Sequence, residues 1–367
     1  MTNTAPGEGT LPPERAITET LTIGIDVGGT RIKAGLVASD GSLRATRVRD
    51  SPAGSAEAVA RAVVDLVEEL RSAAGDAEVA GVGVAAAGFV DHAEGVVIFA
   101  PHLPWREEPL RARLSGLLDL PVGIDNDANA AAWAEHRFGA GRGQDEMVMI
   151  TLGTGLGGAH LADGRPQRGR HGLAGEYGHM VVVPDGRDCP CGRRGCWEQY
   201  ASGSALRRAG QEVLTRGGAR ADALRAACGG TTSQVRGEHV TRAALAGDPV
   251  SIELLAETGR WLGIGLANLA AALDPGCVVV GGGVLEGGEL VLGPAREALT
   301  AGVPAAGRWP VPEVRAAELG NSAGLVGAAD LVRRSGRPRP AGGPTPPRGR
   351  GPRAGQGRRG VPPDGHG

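Results

Sequence analysis

Residues 21–37 read LTIGIDVGGTRIKAGLV. Leu21–Val27 is an apolar run of strand length. It ends on Gly28-Gly29-Thr30, and Ile32–Val37 resumes the apolar pattern, so the stretch predicts a strand–turn–strand hairpin. The unit recurs. Met147–Thr151 runs into Leu152-Gly153-Thr154-Gly155-Leu156-Gly157-Gly158, and Cys277–Val280 runs into Gly281-Gly282-Gly283. Between these units, Ala53–Arg71 places Val59, Val63, Leu66 and Leu70 at helical spacing. Val79–Val84 and Val122–Ile124 read as buried strands, and Asn129–Phe138 as an alanine-rich helix. Ile252–Leu273 is a long helix that Asp274-Pro275 ends. Strands alternating with helices, and a repeated strand–glycine turn, predict an α/β fold of two related domains with a cleft between them.

The chain is expected to divide into two domains between two tails. Residues 1–20 are polar and hold Pro and Gly, and are expected to be a disordered extension. Residues 21–125 form a small α/β domain, on which a closing helix, 321–334, packs. Residues 126–320 form a large α/β domain. Residues 335–367 are an Arg/Pro/Gly tail that cannot bury a core.

Composition excludes several classes. Nine of the 39 basic residues and one of the 41 acidic residues lie from Arg333 onward, which leaves 30 basic and 40 acidic upstream. A body near −10 argues against a nucleic-acid surface. No apolar stretch is long enough for a membrane span, and the first twenty residues lack the apolar core of a signal peptide. The chain is expected in the cytoplasm, where clustered cysteines favour metal over disulfide.

Phosphate oxygens need several backbone N–H groups at short range, and glycine lets the backbone approach. Three strand-following glycine clusters therefore point to phosphate: Asp26 to Thr30 with Gly28 and Gly29, the 153–158 turn with Gly153, Thr154, Gly155, Gly157 and Gly158, and Gly281, Gly282 and Gly283. Asp26 could hold magnesium through water. None of the turns is a P-loop or a dinucleotide-binding fingerprint. Asp125-Asn126-Asp127-Ala128-Asn129 sits between a strand end and a helix start. Helix capping explains one of these residues. A carboxylate such as Asp127 could also accept a proton from an attacking hydroxyl.

His179-x9-Cys189-x-Cys191-x4-Cys196 holds three thiols within eight residues. Three Cys and one His make a closed tetrahedral zinc shell of structural type. On spacing alone the fourth ligand is His179, His171 or a non-protein group, and reduced, unliganded thiols are the bland alternative. Glu176 and Glu198 flank the cluster, and carboxylates made rigid by a metal shell suit sugar hydroxyls.

Together these motifs resemble the ROK family (repressors, open reading frames and kinases), from about Thr22 to Leu331 and in the family's order. The resemblance implies a two-domain actin/hexokinase-like (ribonuclease H-like) fold and transfer of phosphate from ATP to the 6-hydroxyl of glucose. It implies Asp127 as catalytic base and Asn126, Asp127, Glu176, His179 and Glu198 on the sugar. It gives structural zinc to His179, Cys189, Cys191 and Cys196, with His179 serving both metal and sugar. The turns at 26–30 and 152–158 would hold the phosphates of MgATP, and 281–283 would lie by the adenosine. Homo-oligomers, dimers or tetramers, are expected by analogy. Kinase action on another hexose (N-acetylmannosamine, N-acetylglucosamine, fructose or allose) is the runner-up, and a sugar-responsive repressor a distant third. The chain departs from the family at Arg31, at Asp125, at Ala86-Ala87-Gly88 and at His102, which stands where relatives commonly show Asn near the sugar.

Overall fold

Strands β1 (Thr20–Val27) and β2 (Arg31–Val37) form the expected hairpin, antiparallel, with Asp26 opposite Lys33. The chain continues through β3 (Leu43–Asp50), α1 (Ala56–Ala73), β4 (Glu78–Ala86), β5 (Phe89–Asp91), β6 (Val96–Phe99), β7 (Arg106–Glu108), α2 (Leu110–Ser115), β8 (Val122–Asn126) and α3 (Asp127–Phe138). It then runs through β9 (Met147–Leu152), β10 (Leu156–Ala162), β11 (Arg165–Pro166), α4 (Gly203–Arg216), α5 (Asp222–Ala227), α6 (Gly237–Leu245), α7 (Pro249–Leu273), β12 (Cys277–Gly281), α8 (Glu289–Gly302), β13 (Glu313–Ala316) and α9 (Ala323–Ser335). This computed structural model describes residues 19–52, 54–304, 307–308 and 310–335. The expectations for 1–18 and 336–367 lie outside the described residues. Thr20 already belongs to β1 and Glu19 pairs with Arg44 at 2.7 Å, so the described body begins ahead of Leu21.

The two main sheets are copies of one topology. The first runs β3-β2-β1-β4-β8 and the second β11-β10-β9-β12-β13. In each, both strand pairings on one side of the central strand are antiparallel and both on the other side are parallel. A small third sheet, β5-β6-β7, extends the first lobe. The repeat seen in the glycine turns is thus a repeat of whole sheets.

Local chemistry sets the helix ends. Ser55 accepts from Ala58 N at 3.1 Å and starts α1 at Ala56, later than the apolar spacing alone would place it. Asp248 caps α7 with Pro249 in its first turn, and Asp274 closes it in a left-handed conformation at φ 46.

Three cores result. One lies between the first sheet and α1 and α2, built on Ile23, Ile25, Val63 and Leu66. One lies beneath the second sheet among α4 to α8, built on Val148, Ile150, Leu255 and Leu266. A third joins the lobes: α3 and α9 bring Trp133, Leu325 and Val326 together with Met147, Met149 and Val279 of the second sheet. Helix α9 packs against β1, β4 and α3. It comes so close that a methyl group on Gly24 would overlap Leu325 O, and one on Gly83 would overlap Ala328 O. No described helix is long and apolar enough to cross a membrane.

Gly83→Ala is therefore expected to lose about 1–3 kcal/mol or more of stability by overpacking, read as a lowered Tm. Gly116→Ala, where a methyl group meets only ordinary 3.5 Å contacts at φ −77, should leave Tm almost unchanged.

Candidate active site

Asp127 is the first residue of α3, and its placement comes from the residue before it. Asn126 caps the helix: its Oδ1 accepts from Ala128 N at 2.9 Å and Asn129 N at 3.1 Å. Its Nδ2 donates to Asp127 Oδ1 and to Gly88 O, both at 3.0 Å. The carboxylate of Asp127 is thereby held at the mouth of the helix, partly open to the cleft. Burial pushes it up to about 7, and the charges of Asp26 and Glu176 add to the rise. A carboxyl with that value is half-ionised at neutral pH, which suits a general base. Asp26 is itself raised by burial, with Lys33 opposing.

Asp125 has another duty. It is buried, and Arg168 donates to it from Nε at 3.0 Å and from Nη2 at 2.5 Å. Asn129 Nδ2 adds a bond at 3.3 Å, and His92 Nδ1 stands 3.6 Å away. This pair ties the end of β8 to the loop that follows β11.

His179, Cys189, Cys191 and Cys196 converge, with their ligand atoms all within 4.8 Å of one another. Cys191 Sγ lies 3.6 Å from Cys196 Sγ, and Cys189 Sγ lies 3.8 Å from His179 Nδ1. Those separations match the edges of a tetrahedron with metal–ligand bonds of about 2.0–2.3 Å, so the residues fit a divalent ion. Burial pushes Cys189 up to about 12. Burial also works on Cys191, yet the Arg193 amide and the neighbouring thiol of Cys189 bring it down to about 6. His171, the alternative ligand, is exposed and outside the cluster.

The same imidazole links the cluster to the carboxylates. With Nδ1 toward the thiols, Nε2 stands 4.0 Å from Glu176 Oε2. Glu198 Oε1 lies 3.7 Å from His179 Nδ1 and accepts from Cys189 Sγ at 3.2 Å. Enclosure by the cleft raises Glu176; His179 opposes, and Glu198 adds to the rise. Asp127, Glu176, His179 and Glu198 thus form one polar wall. Tyr177, between two of them, bonds His160 Nδ1 at 2.6 Å and fixes the short turn that carries them.

The glycine-rich segments fare unevenly. Gly153, Thr154 and Gly283 line a cavity of about 880 Å³ together with Ser204, Arg236 and Glu238. The carbonyls of Gly153 and Thr154 accept from Gly203 N and Ser204 N, which anchors the turn on the start of α4. A methyl group on Gly155 would approach Glu198 Oε2 to 2.8 Å, so this turn adjoins the carboxylate wall. Gly157 and Gly158 correct the expectation of a six-residue phosphate turn. They lie inside β10, paired with Thr151 and Ile150, and Gly158 backs onto the Tyr177 ring. Gly281 likewise ends β12, and Gly282 presses on the Leu152 backbone. Gly28, Gly29 and Thr30 turn in the first lobe, outside this cavity, with Gly29 packed on His102.

Sequence reasoning passed over Lys33, Arg168 and the cavity residues of α4 and α6. Lys33 alone carried a signal, as the chain's single lysine.

The ROK family profile matches residues 22–335. The chain is 45% identical over 310 residues to the glucokinase of Streptomyces coelicolor, across 84% of this chain and 96% of that relative. It is 34% identical over 315 residues to the glucokinase of Halalkalibacterium halodurans, across 83% and 92%. It is similar to the crystal structure of a ROK family glucokinase from Streptomyces griseus in complex with glucose and AMPPNP. That match has a TM-score of 0.78 at 45% identity and covers 86% of this chain and 99% of that one.

Elemental analysis of the purified chain is expected to find about one thiophilic divalent ion per molecule. Stripping it with a chelator should lower Tm, and Cys196→Ser should lose the ion. A metal-free protein with unchanged Tm would argue for unliganded thiols.

Proposed function

The chain belongs to the ROK family, and on that footing we propose that it is an ATP-dependent glucokinase making glucose 6-phosphate and ADP in the cytoplasm. One observation carries the reading. Asp127, at the start of α3, shares a polar wall with Glu176, His179 and Glu198 that adjoins, through the turn at Gly155, a glycine-lined cavity of nucleotide size.

A neutral hexose offers hydroxyl donors, which suit Asn126, Glu176, His179 and Glu198. With the ring held there, the 6-hydroxyl points to Asp127, which takes its proton as the oxygen attacks the terminal phosphate. The 28–30 and 153–155 turns aim backbone amides at the phosphates, and the adenosine occupies the cavity by Gly283. The two lobes, 21–125 with the closing helix and 126–320 with the cysteine cluster, close over both substrates and exclude water. Magnesium, held through water near Asp26, would neutralise phosphate charge. Zinc fits the Cys₃His shell; bound there, it would hold His179 and the 189–198 loop in place. His102, packed on the phosphate turn, is a place where sugar preference could be set.

Coupled-assay turnover with ATP across a hexose panel should favour glucose; a much higher kcat/KM for another hexose would replace the substrate assignment. Asp127→Asn should lose about 10²–10⁴-fold in kcat while keeping its metal content and Tm. A variant with most of its activity would remove Asp127 as the base.

The pH dependence has a definite sign. The base acts only when ionised, and its value in the folded protein is about 7. The rate should therefore fall about tenfold per unit as pH drops below 7. A profile flat from pH 5 to 8 would contradict that role.

A further inference from the structure

The chain passes between its two sheets twice. It leaves the first sheet at β8, runs through α3 and the 139–146 segment, and enters the second sheet at β9. It leaves the second sheet at β13 and returns through 317–322 to α9, which packs on the first sheet. One side chain grips both passages. Glu135, on the last turns of α3, is fully buried. Its Oε2 accepts from Ala140 N at 2.9 Å, on the outgoing passage. The same oxygen accepts from Glu318 N at 3.1 Å, and Oε1 accepts from Leu319 N at 2.8 Å, both on the return.

All three partners are backbone amides. The arginines nearby are engaged elsewhere: Arg142 with Glu318, and Arg315 with Glu313 and with Ala140 O. A methyl group on Gly139 would overlap Glu135 Oε2, so glycine leaves the room the carboxylate fills. A buried anion is costly unless its hydrogen bonds are satisfied. The three amides are therefore held to the carboxylate, and the carboxylate to them. A capping or packing role would need one passage; this residue takes both.

We propose that Glu135 is a positioning residue, the pin about which the two lobes turn. It touches neither ligand. It fixes the crossing point, so that movement of one lobe on binding is passed to the other as rotation and not dissipated as slippage. Closure then couples the sugar wall on one side of the cleft to the phosphate turn of β1 and β2 on the other. The inference rests on the kinase reading only in supplying the two ligands.

Glu135→Gln tests it. The amide group keeps the volume but offers one acceptor oxygen and places N–H against N–H. Calorimetry would measure AMPPNP affinity with and without glucose. The factor by which glucose tightens the analogue, about 5–150 in coupled proteins, should fall to near one in E135Q. Each ligand's separate Kd should stay within about twofold of wild type. A purely structural Glu135 would lower Tm and leave that factor intact, which overturns the proposal, as does a factor of one in the wild type. Hydrogen exchange on the wild type covers the case in which E135Q does not fold. The amides of Ala140, Glu318 and Leu319 should be protected equally in the free and doubly liganded protein. Rapid exchange in the free protein, or a change on binding, overturns the pin. Absence of glucose turnover in the wild type would count against the proposed function alone, because exchange in the free protein does not depend on it.

Discussion

The close seating of α3 and α9 between the two sheets is the constraint on which the rest of the molecule depends. Gly24 and Gly83 bring α9 onto the first sheet until backbone meets backbone. Helix α3 then fills the remaining space between the lobes, with Trp133 Nε1 donating to the buried Asp330 at 2.9 Å. Asp330 also holds Arg137 and Arg333, so the shared core has a polar spine as well as an apolar one. Because α3 is wedged in this way, its first residue cannot drift. The position of Asp127 is inherited from packing along the whole helix, and the Asn126 cap sets only its local aim.

The electrostatics of the cleft follow from that seating. Asp26, Asp127, Glu176 and Glu198 are brought within electrostatic reach of one another in succession: Asp26 and Glu176 raise the cost of ionising Asp127, and Glu198 that of ionising Glu176. Only Lys33 offsets this among the causes acting on Asp26, and only His179 among those acting on Glu176. Carboxylates at close quarters with few cations among them are poor partners for another anion and good ones for hydroxyl donors or a cation. A neutral sugar on the acidic wall, with phosphates kept to the glycine turns, is the division of ligands that such a field permits.

How much of this can be read from the chain alone depends on how local the cause is. Strands β1, β9 and β12 are legible because a buried strand followed by glycine carries its whole signature in about ten residues. Strand β3 is not: as an edge strand it is mostly exposed and carries three arginines, and its pairing with β2 gives it its shape. Helices α4 and α6 are held by contacts among Leu206, Val235 and Val240 that no window of sequence displays. Gly157 and Gly158 show the opposite failure. A glycine in a turn and a glycine inside a strand look identical in sequence, and only the ladder to β9 separates them. The cysteine cluster is legible because its ligands are seventeen residues apart at most, whereas Asp125 and Arg168 are a pair that only the fold makes.

The roles of the metal cluster and of the base are separable on chemical grounds. Three thiolates and one imidazole fill a tetrahedral shell and leave no position for water or substrate. An ion there has no route to the attacking hydroxyl. What it can do is hold the ring of His179 by Nδ1, which turns Nε2 toward Glu176, and order the loop that carries Glu198. Glu198 Oε1 lies 3.2 Å from Cys189 Sγ, so the carboxylate wall and the cysteine cluster are in direct contact. A metal there would therefore serve the geometry of the wall formed by Glu176, His179 and Glu198, while Asp127 sits on α3, whose position the metal does not determine.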